Sequence, residues 1–341
     1  MTITDVTVTI TAETPTVTRA GFGLPLLVGV GKTVAYTLCN TLADVAATAF
    51  TVEDDIYDLA SAVLGQNPRP SQIAVVGWKI GTEEGDDYAT LTAALTALVV
   101  DKNEWYFLLS TEQTKEDIDE LAAWALANKK LYFASTTDTI FATLAGATSA
   151  SDRAAILCSD SPEEYPAEAW VGKCAPYLPG EITWKFKTLA GISVSGYTPT
   201  EAAAVTDAGG NVIVSQGGIL HTTPGQCMDG SWIDEVRGLD FLEARIKEEV
   251  FTVLAGSPKV PYTTAGINLV AGAVENALKQ AVGTGLIAKD ADGNPIYTVT
   301  VPVIGDISSV DKGNRLLPDI AFTATLAGAV HTVTVSGILE V

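Results

Sequence analysis

The chain has 341 residues, 47% apolar and 18% charged, which supplies a sizeable core and excludes intrinsic disorder. Its 41 acidic and 20 basic residues leave a formal charge of −21, a field that repels phosphate backbones and excludes nucleic-acid binding. Charged residues run well below the ~25% usual for soluble chains, so much of the surface is expected to be covered in a larger symmetric assembly.

The length allows two domains, or one with a large insertion. No apolar run is long enough to span a bilayer. The start, "MTITDVTVTITAET", has neither a basic head nor an apolar core, so no signal peptide is expected. Cys39, Cys158, Cys174 and Cys227 are far apart with no CxxC pair, as expected of reduced, buried thiols.

In chain order, residues 2–18 alternate Thr with Ile or Val, a strand pattern divided by Pro15. A strand at a chain end has no partner next to it in sequence. It must pair with a distant strand or with a neighbour's sheet edge. Leu24 to Val30 is apolar and runs into "GVGKT". A phosphate-binding loop needs a glycine at position 26, where Leu26 stands, and the next residues are extended rather than helical. A strand ending in a glycine turn is the reading here, with Lys32 in solvent.

Strands are then predicted at Leu24–Gly29, Ile73–Trp78, Trp105–Leu109, Leu131–Ala134 and Ala154–Cys158. Helices among them are expected at Asp55–Leu64, Tyr88–Val99 and Lys115–Ala127. In the last, Ile118, Leu121, Ala122, Ala125 and Leu126 form one apolar stripe and Thr114 can cap the start. Short apolar strands interleaved with amphipathic helices predict a mostly parallel α/β sheet.

Past Trp170 the pattern becomes α+β. "TPTEAAAV" at 198–205 is a helix start with Thr198 as cap, Pro199 at the first position and Glu201 reaching back. "TDAGGNVIV" and "DADGNPIYTV" read as hairpins. Ser231 is placed to cap a long helix carrying Ile233, Val236, Phe241, Ile246 and Val250 and closing near Gly256. A second helix is expected from Thr264 to Val282, followed by strands at Tyr297–Val303, Ile320–Ala324 and "VHTVTVSGILEV".

Candidate chemistry is thin. His331 falls in an alternating stretch and reads as a sheet residue, while His221 lies near Cys227 and Asp229 with no third orienting group. "KDADGN" offers Asp290, Asp292 and Asn294, but Gly293 precedes Asn294 and Val301 stands where a calcium loop needs glutamate. An Asp-Gly turn explains it. The acidic runs Glu53-Asp54-Asp55, Glu83–Asp87 and Glu112–Glu120 read as solvated faces, and no Gly-x-Ser-x-Gly elbow occurs. The residues support no enzyme, no metal site and no cofactor.

Four stretches, in this order, carry a family likeness: the β-branched arm leading into "FGLPLLVG", "YDLASAVLGQNPRPSQIAVVGW", "WYFLLSTEQTKEDIDELAAWALANKKLYFAS", and "SWIDEVRGLDFLEARIKEEVFTVL" with "GSPKVPYTTAGINLV". They resemble the sheath proteins of contractile phage tails, of the myovirus type, and of related injection machines. The resemblance implies α/β plus α+β architecture. An outward α/β insertion domain, subtilisin-like in fold but non-catalytic, would occupy residues 22–165. An α+β sheath core domain, formed by both chain ends, would take residues 166–325 together with an N-terminal arm and strand at 1–21. A C-terminal β-arm would be 326–341. Neither histidine lies in the α/β half, so a general base is missing there.

It further implies a helical homo-oligomer of hexameric rings around a tail tube protein, bounded by baseplate and tail terminator proteins. The sheath would sit in a virion tail assembled in the bacterial cytoplasm, without nucleic acid or membrane insertion, and would contract to drive genome ejection. Its arms would be donated to neighbouring subunits: Ile3, Val6, Val8 and Ile10 at one end, Val330, Val333, Val335, Ile338 and Leu339 at the other. Alternatively both strands complete the chain's own sheet. Arg237, Arg245, Lys247 and Lys279 are the candidates for facing the tube, against a plain solvated helix face. A tail-derived bacteriocin, another injection system, a ring-forming tube protein and an α/β hydrolase are the competing readings.

Overall fold

Residues 21–144 and 151–334 are described by the computed structural model. The first apolar run forms β1 (Pro25–Val30), followed through a turn at Gly31 (φ 95°) by β2 (Val34–Cys39). The chain then alternates: α1 (Leu42–Ala46), α2 (Asp55–Leu64), β3 (Ile73–Trp78), α3 (Leu91–Asp101), β4 (Phe107–Ser110), α4 (Lys115–Asn128), β5 (Leu131–Thr136), α5 (Asp138–Leu144), β6 (Ala154–Cys158), α6 (Pro166–Cys174), α7 (Pro199–Asp207), β7 (Asn211–Gln216) and β8 (Ile219–Thr223). The order in the sheet is β2-β3-β1-β4-β5-β6-β7-β8. The six strands from β3 to β7 run parallel, and β2 and β8 close the two edges antiparallel.

These strands lack polar alternation because helices cover both faces. Leu27, Val75, Leu109, Phe133 and Leu157 point to the face carrying α1, α2 and α6. Leu26, Val28, Ala74, Leu108, Tyr132 and Ile156 point to the face of α3, α4, α5 and α7. The register fixes this split: Leu26 pairs with Ala74 on one side and Leu108 on the other, so a one-residue slip would exchange the faces. On the first face Phe133 stacks on Trp184 at 4.9 Å, and Trp170 meets Trp184 edge-on at 5.4 Å while its Nε1 donates to the Trp184 carbonyl at 2.9 Å.

The expected α4 stripe is buried apart from exposed Leu126, and Thr114 accepts from the Asp117 N–H. Thr198 and Glu201 form the reciprocal cap of α7. Other expectations shift. The boundary expected at residue 165 falls inside the sheet, because β7 pairs with β6 and β8 with β7. "TDAGGNVIV" is a helix-to-strand junction, since α7 runs to Asp207 and Gly209 and Gly210 lead straight into β7. The hairpin lies further on, at Gly217-Gly218, both with positive φ.

α8 (Ile233–Gly256) follows, and Trp232 rather than Ser231 takes its cap position. The Ser231 hydroxyl is turned to Asp229, to which it donates at 2.7 Å. The first half of α8 is built into the α/β core, where Ile233 and Val236 pack. Its middle turns meet α9 (Thr264–Gly283) through Phe241, Leu242, Val274 and Leu278. β9 (Tyr297–Thr300), α10 (Ser309–Gly313) and β10 (Ala321–Ala324) complete the described part. β9 and β10 form a separate antiparallel pair, packed on the α8–α9 cluster through Tyr297, Val299 and Ala324. The "DADGN" segment before β9 is the expected tight turn: Lys289 bridges Pro295, and Asp290 accepts from the Asp292 and Asn294 N–H groups.

Candidate assembly surfaces

The places where chemistry could have resided are structural. After "GVGKT" the chain is the edge strand β2, and Lys32 is not free in solvent but donates to Asp54 at 2.6 Å. The N–H of Gly31 bonds the Trp78 carbonyl instead of an anion. His221 is buried against Phe186, its Nδ1 3.2 Å from the Thr222 carbonyl. The Cys227 thiol is fully buried, and burial followed by the charge of Asp229 pushes it well above its ordinary range, the reverse of an activated nucleophile. Among the described residues no cluster of three or more His, Cys, Asp or Glu could hold a metal ion. No described helix is long and apolar enough to cross a membrane.

Glu168, on α6, is a fully buried carboxyl that the sequence did not flag, set among small and apolar neighbours in "PAEAW". Ser135 donates to it at 2.6 Å and Gln113 at 3.0 Å. Burial raises its pKa to about 7 and those hydrogen bonds oppose the rise. Ser135 in turn accepts the Ala167 N–H at 2.9 Å, so the group ties the end of β5 to the start of α6.

α8 is fastened to the α/β unit by two arginines. Arg237, offered as a tube-facing residue, lies inside, 1% exposed. Its Nη2 donates to the carbonyls of Phe22 at 2.6 Å, Tyr177 at 2.7 Å and Ala175 at 3.1 Å. Burial lowers its pKa to about 10. One turn on, Asp240 receives Arg153 and the Tyr106 hydroxyl, the latter at 2.5 Å. Arg245 is also withdrawn, paired with Glu248 and lying over the Phe241 ring at 5.1 Å. Both arginines are thus buried within the chain itself. The i, i+4 spacing of Ile233, Arg237 and Phe241 put Arg237 on the apolar stripe, a signal outweighed by its charge.

Lys247 and Lys279 do face solvent, with side chains 72% and 60% exposed. Each is paired with a glutamate one turn earlier, Glu243 at 2.5 Å and Glu275 at 3.3 Å. Glu243 also takes Lys129 at 2.8 Å, and these two lysines hold its pKa at about 2. Each exposed lysine thus has a carboxylate beside it, and rim pairs of this kind are worth little singly.

The β9–β10 pair is a two-stranded sheet among the described residues, so the outer edges of both strands carry unpaired backbone groups. Thr298 and Thr323 face each other across it at 2.7 Å, and Phe322 is 40% exposed. Past β10, residues 327–334 form no strand within the chain, which corrects the expectation that His331 sits in a sheet. His331 instead docks against Trp232, ring centroids 4.6 Å apart, with Nε2 2.8 Å from the Thr183 hydroxyl. Val330 and Val333 beside it are exposed. Of the other arm residues, Ile3, Val6, Val8, Ile10, Val335, Ile338 and Leu339 lie outside the described residues.

Comparison with known proteins bears on this architecture. Residues 233–339 match the family model described as E217 tail sheath protein gp31-like, C-terminal domain. No curated protein matches the chain. The helical sheath of the anti-feeding prophage (AFP) in its contracted state superposes with a TM-score of 0.69 at 16% identity, over 100% of both chains. The sheath of PVC, an extracellular contractile injection system, also contracted, gives 0.70 at 12% identity over 100% of this chain and 99% of that one. The sheath tail protein Lin1278 from Listeria innocua gives 0.51 at 8% identity, over 82% and 89%. The chain thus resembles contractile sheath proteins over its whole length, and from Ile233 to Leu339 it matches the tail sheath C-terminal domain family.

Proposed function

We propose that the chain is the structural subunit of a contractile sheath, polymerising as a helical cylinder around a tail tube and shortening to drive that tube through a host envelope. The observation that carries this reading is the coincidence of the whole chain with sheath subunits solved in contracted cylinders. Contraction is mechanical: energy is held in subunit interfaces, and rigid bodies rotate about flexible connections. The two arginine fastenings between α8 and the α/β unit support treating that unit and α8 as one body. No step in this reading consumes nucleotide.

In this reading the arms link the rings. The open edges of β9 and β10 offer backbone donors and acceptors to strands from neighbours, and period-two side chains set the register. Residues 1–10 and 331–336 supply that pattern. The α/β unit faces outward, Lys247 and Lys279 are the tube-facing candidates that remain, and baseplate and terminator proteins cap the cylinder. The same reading serves a phage tail and an injection system such as those of the AFP and PVC neighbours.

Negative-stain electron microscopy of the full-length chain, co-expressed with a tube protein, tests the proposal. Cylinders are expected, reduced to separate rings when residues 1–12 are deleted. Dispersed subunits in the presence of the tube would overturn the sheath reading. Cylinders that survive the deletion would move the inter-ring link to another segment.

A further inference from the structure

Past β10 the chain returns toward the α/β unit, and one side chain fastens it there. The Ala327 N–H donates to the Leu286 carbonyl at 2.9 Å, and among the described residues no backbone hydrogen bond holds 328–334 after it. From Ala327 to Thr334 every residue is exposed except His331. Its imidazole stands nearly perpendicular to Trp232, with ring centroids 4.6 Å apart, and to Phe186 at 6.1 Å. Its Nε2 lies 2.8 Å from the Thr183 hydroxyl. The receiving surface is firm. Phe186 donates its N–H to the Thr222 carbonyl at 2.9 Å, and Thr222 donates back to the Lys187 carbonyl at 3.0 Å, so this stretch is laid along β8.

The charges acting on the ring are positive. Burial first, then the Lys185 and Lys187 ammonium groups, lower its pKa from the ordinary 6.5. On the facing element, Asp234 and Glu235 are the acids in the first turn of α8. Asp234 acts on Lys187, and neither carboxylate is among the charges acting on the imidazole. Asp229, just before the helix, accepts from Ser231. His221 lies beyond Phe186, with ring centroids 5.2 Å apart. Residues 327–334 carry no charge other than the one His331 can acquire.

We propose that His331 is an acid-released latch, holding residues 327–334 on the α/β unit while its imidazole is neutral and freeing them when it is protonated. Protonation sets an imidazolium among aromatic rings, beside two ammonium groups, with no carboxylate to receive it. Attraction to the ring faces works the other way, but Lys185 already occupies the Phe186 ring, its Nζ 4.9 Å from the centroid. Undocked, the imidazole is hydrated and clear of both lysines. Docking is therefore fully present above pH ~6.5 and is lost as pH falls toward the titration of the docked ring. Each pH unit between the two titrations weakens docking about tenfold. The latch belongs to the single chain and stands whether or not that chain builds a sheath.

The test reads the motion of this segment in the full-length subunit. Cys39, Cys158, Cys174 and Cys227 are buried, so Val333→Cys, at an exposed position, takes a maleimide fluorophore selectively. Time-resolved anisotropy should report a held label at about pH 7.5 and a freely moving one by about pH 5. His331→Gln cannot take up a proton and should abolish that pH response. The chain has only two histidines, so histidine-selective ¹³C labelling gives two NMR titrations, assigned by the same variant. Lys185→Gln should move the His331 titration upward and blunt the release, with circular dichroism matching the parent. A label equally mobile at both pH values overturns the latch. So does an acid response that persists in His331→Gln, which would assign the release to another group.

Discussion

Arg153 and Asp240 meet side-on, the guanidinium Nη2 donating to Oδ1 at 2.9 Å and Nη1 to Oδ2, and both side chains are about nine-tenths withdrawn from water. The pair joins the loop before β6 to the middle of α8, so it couples the α/β unit to the helix that enters the C-terminal sheath match. Removing one partner strands a desolvated charge, whereas removing both need not. Asp240→Asn and Arg153→Met should each cost about 3 kcal/mol in urea unfolding. The double variant Arg153→Met, Asp240→Leu should recover part of that, since the buried Tyr106 hydroxyl loses its acceptor in it. Additive losses in the double variant would mean the pair is not coupled.

Arg237 makes a second, sharper case. Carbonyls from two segments, Phe22 and residues 174–177, converge on its two terminal nitrogens, and a lysine ammonium cannot reproduce that planar fork. Arg237→Lys and Arg237→Met are both expected to destabilise by more than about 2 kcal/mol, since each leaves buried acceptors unpaired. Hydrogen exchange should report the loss around Phe22 and residues 175–177 first. A Lys variant as stable as the parent would contradict this account.

How much of this was legible depended on distance along the chain. Thr114, Thr198 and Glu201 act within one helical turn, and their caps were readable from residue type and spacing. The Asp240 cluster was not: Arg153 lies 87 residues away and Tyr106 134 residues away, and no local pattern announces such a meeting. Ser231 looked like a cap by the same rules that served Thr114, but Asp229, two residues back, captured its hydroxyl. The turn glycines misled where a helix ended instead of a strand: Gly209 and Gly210 close α7, and the hairpin needed Gly217-Gly218. For the assembly surfaces, the lysines were legible as exposed residues.

Gly172 sits in α6 where that helix crosses α2. A Cβ added there would lie 2.3 Å from the Val63 carbonyl oxygen and 2.8 Å from Val63 Cα, so backbone rather than a flexible side chain would have to move. Gly172→Ala should cost about 1–3 kcal/mol despite the better helix propensity of alanine. Gly272, in α9 with nothing within 4 Å of its would-be Cβ, is the control. There alanine should stabilise the dispersed subunit by about 0.5–1 kcal/mol. Thermal melts of the two variants should move in opposite directions.

Glu168 gives the fold a pH dependence whose sign differs from that of an ordinary salt-bridged carboxylate. Burial raises its folded pKa from 4.5 to about 7, so the native state holds the proton more tightly than the unfolded chain. The resulting stability is fully present below pH ~4.5 and is lost as pH rises through about 7. The span corresponds to about 3 kcal/mol. Glutamine cannot release a proton and keeps an acceptor for Ser135. Glu168→Gln should therefore match the parent near pH 4.5 and exceed it at pH 8, with the gap opening between those values in urea titrations. A constant offset across that range would mean Glu168 keeps an ordinary carboxylate pKa, with the hydrogen bonds from Ser135 and Gln113 offsetting burial.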